Sequence, residues 1–228
     1  MSIWTRIADV IASIGESVGG FLQAIVTRNP GPPEKSVAFT IGMIALGAKM
    51  AKADGVVTED EIAAFKQVFH IPDEELSAVA RVFNLAKQDT AGFETYARQI
   101  ARLFDAQHEV LEDVLDGLFH IAKADNAYHP GEHGFLGQVA EIFGFSPQDF
   151  ARIRARHVGL ADDPWLILGL PHDAGEEEIR RRYRELVREY HPDRHIAAGV
   201  PEEMIEIATE RLQKVNEAYG RIMKERAA

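Results

Sequence analysis

The feature that most constrains this chain is a helix–turn–helix unit written twice. Ala51-Lys52-Ala53-Asp54 recurs as Ala122-Lys123-Ala124-Asp125, and a glutamate follows each aspartate by seven residues, Glu61 and Glu132. The register continues, Phe65 matching Leu136 and Val68 matching Val139, at a constant offset of 71 residues. Two copies are too few for a solenoid. They predict a helical bundle with an internal pseudo-twofold relation that brings the two acidic turns near each other. Apolar residues between the copies keep the helical three-to-four spacing: Leu76, Val79, Val82 and Phe83, then Tyr96, Ile100, Leu103 and Phe104. No alternating β-branched run bounded by turn residues interrupts them, so the fold class is all-α, with about seven helices in this bundle.

Punctuation divides the chain. Asn29-Pro30-Gly31-Pro32-Pro33 reads as a non-helical linker over 29–34. Gly159 and Asp162-Asp163-Pro164 end one helix and start another, with Asp163 as N-cap and Pro164 at the first helical position. The divisions are an N-terminal segment 1–28, a middle domain 35–160 and a C-terminal domain 162–228. Within the middle domain, Val37 to Ala48 reads as a buried core helix, and Thr58 with Glu61 and Ser146-Pro147 with Asp149 as capping boxes. In the first segment, Trp4, Ile7, Val10, Ile11, Ile14, Val18, Phe21, Leu22 and Ile25 form an amphipathic stripe. It predicts a helix over residues 3–26 that packs on the protein's own domain or makes peripheral contact with a membrane or partner.

With 46% hydrophobic and 27% charged residues, the chain has the balance of a soluble globular protein. No cysteine is present, which excludes disulfides, thiolate metal sites and cysteine nucleophiles. The net charge of −11 disfavours bulk binding to nucleic acid or anionic lipid. No uncharged apolar run reaches the ~18 residues of a spanning helix, and Asp9 and Glu16 spoil a secretory profile. The expected location is cytoplasmic, with or without peripheral contact at the cytoplasmic face of the inner membrane.

The C-terminal domain carries the sharpest motif. Asp163-Pro164 and Leu168-Gly169 precede a helix opened by Glu176, Glu177 and Glu178. Its apolar stripe is Ile179, Tyr183, Leu186, Val187 and Tyr190, and Arg180, Arg184 and Arg188 recur every four residues on another face. The helix stops at His191-Pro192-Asp193-Arg194, and a last helix from about Pro201 to Glu225 holds Asn216-Glu217-Ala218-Tyr219. These features, in this order, resemble a J domain: a helical hairpin that delivers DnaK-type chaperones to clients. The middle domain, with its Ala-Asp-Gly turn and downstream glutamate, resembles the TerB-like family, although Asn126 replaces the glycine in the second copy. A TerB-like domain followed by a C-terminal J domain resembles the bacterial DjlA co-chaperones, as does the long connection from His195 to Met204. Unlike the membrane-anchored members, this sequence is not expected to form an N-terminal spanning helix, nor, after Ile222, the short fourth helix usual in a J domain.

The resemblance implies a co-chaperone that does no chemistry itself. His191, Pro192 and Asp193 would meet the DnaK-type partner, with Asp193 facing an arginine of that chaperone. Arg180, Arg184 and Arg194, with Arg188 by geometry, would meet an acidic surface. Glu185 stands where the family often has a base. Clients stay open, and a domain balance of 11 basic against 15 acidic residues over 162–228 disfavours nucleic acid. The TerB resemblance further implies a cation site at Asp54, Glu61, Asp125 and Glu132, whose hard oxygens suit Ca²⁺ or Mg²⁺. The competing reading is that these acids cap helices, and no cofactor is required. A rival function is a cation-responsive stress adaptor with a secondary or inactive J domain. His129-Pro130-Gly131-Glu132-His133 matches an inverted zinc-peptidase motif. Pro130 and Gly131 place it at a helix start, where the two histidines do not share a helical face. His191, Asp193 and His195 read as a turn rather than a metal cluster or catalytic dyad.

Overall fold

The structure is a computed structural model. It describes residues 6–7, 9, 20, 22, 32–54, 66, 71–88, 92–104, 108–123, 128, 130–158, 163–197 and 202–226. Among these every regular element is helical, which bears out the all-α class. The middle domain contains α1 (Pro32–Asp54), a 3₁₀ turn at Asp73–Glu75 leading into α2 (Leu76–Gln88), α3 (Phe93–Leu103), α4 (His108–Ala122), α5 (Pro130–Ile142) and α6 (Pro147–Ala155). The C-terminal domain contains α7 (Pro164–Leu168), α8 (Glu176–Glu189), α9 (Pro192–Ala197) and α10 (Glu202–Arg226).

The central helix of the bundle is α1. Every residue from Val37 to Ala48 is buried, as a helix apolar on all sides must be. It packs against α2, α3, α4 and α5. Helix α1 begins at Pro32, inside the stretch read as linker 29–34. The correction has a simple cause. Proline lacks only an N–H that the first helical turn leaves unbonded anyway, so Pro32 and Pro33 open the helix instead of blocking it. Both helices that lead into the duplicated turns, α1 and α4, are present and in contact. The turns themselves, with Asp125 and Glu61, lie outside the described residues, as does the Thr58 capping box. The other box forms. Ser146 Oγ accepts from the Asp149 amide at 3.1 Å, and the Ser146 amide donates to Asp149 Oδ2 at 3.1 Å.

Of the N-terminal stripe, Ile7 and Leu22 are described. Both are fully buried in the same cluster as α1, alongside Phe39, Ile100 and Leu118. For these two residues the stripe packs on the protein's own domain. Trp4, Val10, Ile11, Ile14, Val18, Phe21 and Ile25 lie outside the described residues.

The C-terminal domain is a hairpin of α8 and α10 braced by α7. Asp163 caps α7, its carboxylate accepting from the Trp165 amide at 3.0 Å. Gly169 ends α7 in the left-handed conformation, φ 68°, which costs a glycine little. A separate core of Trp165, Leu168, Ile179, Leu186, Val215, Ala218 and Ile222 holds the hairpin, and Tyr183 and Tyr219 stack at 4.0 Å. The short helix α9 begins inside the His-Pro-Asp corner, at Pro192, and runs into the long connection that follows. Contacts of α10 with α4 and of α7 with α6 join the two domains, and Ile207 of α10 packs against the middle-domain core.

Candidate functional site

The sequence-predicted loop sits at the corner between α8 and α9. Pro192 opens α9, and Tyr190 ends α8. His191 and Asp193 project outward with side chains 52% and 84% exposed. The Asp193 amide donates to His191 Nδ1 at 3.3 Å, and the Arg194 amide donates to the His191 carbonyl at 3.0 Å. His191 Nδ1 is therefore an acceptor from backbone. A catalytic dyad would need that nitrogen to donate to the carboxylate, which lies 3.6 Å away.

The acidic first turn of α8, Glu176 to Glu178, complements its helix dipole. Arg180, Arg184 and Arg188 are exposed. Arg180 donates through Nε and Nη2 to Glu176 Oε1 at 2.9 and 2.6 Å, and this raises its pKa. Arg184 Nε donates to the Arg180 carbonyl at 3.1 Å. Glu185, the departure from the family pattern, faces Arg182 at 3.4 Å and Arg181 at 3.8 Å. It draws on neighbouring arginines of its own helix.

Immediately behind the loop is a feature that sequence reasoning missed: a buried charge cluster between the domains. Helix α4 supplies Glu112, Asp113 and Asp116. The end of α6 supplies Arg152, Arg156 and His157, and the C-terminal domain supplies Tyr190 and Arg211. Arg156 Nη1 lies 2.8 Å from Glu112 and its Nη2 3.0 Å from Asp116. Arg152 Nη1 lies 3.2 Å from Glu112 and donates to the Tyr190 hydroxyl at 2.7 Å. That hydroxyl in turn donates to the Glu112 carboxylate, 3.1 Å from both oxygens. Arg211 stacks on the Tyr190 ring at 3.9 Å and reaches Asp113 at 2.7 Å and Asp116 at 3.5 Å. The Asp113 contact is an ion pair set off the hydrogen-bond axis.

Three carboxylates thus meet three guanidiniums, and charge balance is what makes their burial tolerable. Burial alone would raise the Glu112 carboxyl, but Arg156, Arg152 and Arg211 hold it at about 2. Asp116 is likewise held far below the usual carboxylate range, by Arg156 and by His157. Burial pushes His157 down to about 4 against the pull of Asp116, 2.6 Å from Nε2. The ring is therefore neutral, and it stacks on Phe119 at 5.1 Å. Burial and Glu112 raise the Tyr190 phenol, keeping it protonated as both donor and acceptor. A cavity of about 20 Å³ between the domains, lined in part by Asp116, His120, Arg156 and Arg211, has room for a water-sized guest and none for a substrate.

At the edge of this cluster Arg194 Nη2 pairs with Glu109 Oε1 of α4 at 3.0 Å. The residue before the tripeptide and the residue after it are therefore both held by the middle domain.

Of the four carboxylates proposed for a cation, only the Glu132 side chain is described. It is buried in the first turn of α5. The Asp54 backbone ends α1, while Glu61 and Asp125 lie outside the described residues, so their convergence does too. Among the described residues no group of three or more His, Asp or Glu could hold a metal ion. His133 packs against Tyr128 and Phe150, with Nδ1 3.2 Å from the Tyr128 hydroxyl. His129 is outside the described residues, and of His195 only the backbone, within α9, is described.

Comparison with known proteins fits this geometry. The tellurite resistance protein TerB family matches residues 40–155, and the DnaJ domain family matches residues 163–227. The Co-chaperone protein DjlA of Photobacterium profundum is 27% identical over 235 residues, covering 91% of this chain and 85% of the relative. DjlA of Vibrio parahaemolyticus is 27% identical over 94% of this chain and 85% of the relative. DjlA of Coxiella burnetii is 29% identical over 78% of this chain and 74% of the relative. No solved structure matches the chain. The expected cytoplasmic placement is corrected by these matches, since DjlA co-chaperones are known as inner-membrane proteins. Among the described residues, no helix is long and apolar enough to cross a membrane.

Proposed function

We propose, from the premise that this chain belongs to the tellurite resistance protein TerB family and carries a DnaJ domain after it, that its His-Pro-Asp loop recruits a DnaK-type chaperone and speeds that partner's ATP hydrolysis. The chain is a DjlA-like, all-helical J-domain co-chaperone and not an enzyme of the ordinary kind. The observation that carries recruitment and ATPase stimulation is the exposure of His191 and Asp193 at a corner beside the exposed arginine face of α8. Pro192 fixes the backbone between them. Asp193 offers a carboxylate to a partner cation, and the arginines steer an acidic surface onto it. The TerB domain supplies partner, client or location choice.

The test is single-turnover ATP hydrolysis by a DnaK-type chaperone with and without the full chain. Stimulation is expected with the native protein and its loss in His191→Gln or Asp193→Asn. Equal stimulation by those variants rules the reading out.

A further inference from the structure

Tyr190 and Arg194 flank the His-Pro-Asp tripeptide, and Glu112 and Glu109, one turn apart on α4, hold them. The two contacts differ in kind. Tyr190 is 1% exposed, its hydroxyl fixed between Glu112 and Arg152 of the TerB domain. The Arg194 side chain is 55% exposed and contacts Glu109 through Nη2. His191 and Asp193 between them stay open. A surface that hid the loop would bury the tripeptide. This one grips the flanks and displays the middle.

We propose that α4 of the TerB domain is a cradle that pre-organises the His-Pro-Asp loop, with Glu109 and Glu112 as positioning residues acting through Arg194 and Tyr190. The proposal rests on the co-chaperone reading and adds regulation of that same site by the neighbouring domain. Ordering a loop before binding removes the cost of ordering it during binding. Releasing the flanks therefore weakens engagement without removing any group that touches the chaperone.

The test uses the full chain carrying Glu109→Gln or Tyr190→Phe. The first removes the charge of a side chain that is 26% exposed, and the second removes one hydroxyl and keeps the ring under Arg211, so both are expected to fold. Two readouts are taken. Amide hydrogen exchange over 191–197 is expected to quicken about two- to tenfold in each variant, with α1–α3 unchanged. The chain concentration giving half-maximal stimulation of the chaperone is expected to rise by about the same factor, at an unchanged plateau. A merely structural lesion would lower the plateau or quicken exchange everywhere, and either result overturns the cradle. So does unchanged exchange, or a half-maximal concentration that stays put or falls. If the native chain gives no stimulation at all, the co-chaperone reading fails, and hydrogen exchange alone then decides whether α4 cradles the loop.

Discussion

Arg211 of the last helix and Asp113 of α4 lie 2.7 Å apart with both side chains 1% exposed, an ion pair across the boundary between two domains. Its removal from one side strands a buried charge on the other. Arg211→Met is expected to cost about 3–5 kcal/mol and to split one calorimetric unfolding transition into two, as the J domain comes away from the TerB domain. Arg211→Met with Asp113→Leu should recover much of the loss, because an apolar pair of similar volume replaces the ion pair. A single unshifted transition in Arg211→Met contradicts the interface.

Acid should loosen the same interface. The folded pKa of Glu112 is depressed, so its contribution is present above about pH 4.5 and is lost as pH falls towards 2. His157 has the same sign. It binds a proton in the unfolded chain near 6.5 and in the folded chain only near 4, so stability falls as pH drops between those values. The slope is at most about 1.4 kcal/mol per pH unit for one full proton. Urea unfolding at pH 7, 6, 5 and 4 measures it, and a flat profile over this range disproves the neutral buried imidazole.

Gly169 links a turn to the charge cluster. Its φ is 68°, and a β-carbon there would lie 3.3 Å from Arg152 Cδ. Gly169→Ala is expected to destabilise by about 1–2 kcal/mol from the left-handed backbone alone. It should also disturb Arg152 and so lower the melting temperature more than an alanine at a solvent-facing glycine such as Gly134, which has open space around it.

The arginine face should separate stability from association. Arg180 and Arg184 are exposed, and replacing either by alanine is expected to change unfolding free energy by no more than about 0.5 kcal/mol. The same variants should slow association with the chaperone, most at low ionic strength and little at high salt. Stopped-flow association rates across a salt series decide the matter. Equal sensitivity of native and variant to salt removes the arginines from the docking surface.

Local signals were legible in the sequence because their causes are local. The Ser146 box, the Asp163 cap, the Gly169 stop and the buried run from Val37 to Ala48 each depend on neighbours within one or two turns. Pro32 misled because proline forbids a helix interior and favours a helix start, and the sequence alone does not say which applies. The charge cluster was missed for a different reason. Glu112 and Asp116 are four apart on α4, and Arg152 and Arg156 are four apart around the end of α6, so each pair marks one face. That those faces meet each other and Arg211 is a property of tertiary packing. The available hint was three acids within Val110–Phe119, a stretch of α4 that is otherwise apolar and where solvated charges have no place. The four carboxylates expected to gather around a cation are a separate case, since two of them lie outside the described residues.

The shared cluster makes the two halves of this chain poor candidates for cassette exchange. A J domain borrowed from another protein would bring its own tripeptide and its own basic helix, and the hairpin would still fold on its own apolar core. It would dock here only if it also carried a guanidinium where Arg211 stands and a phenol where Tyr190 stands. Without them, three carboxylates on α4 would face two arginines, and the graft would hang from its linker instead of seating.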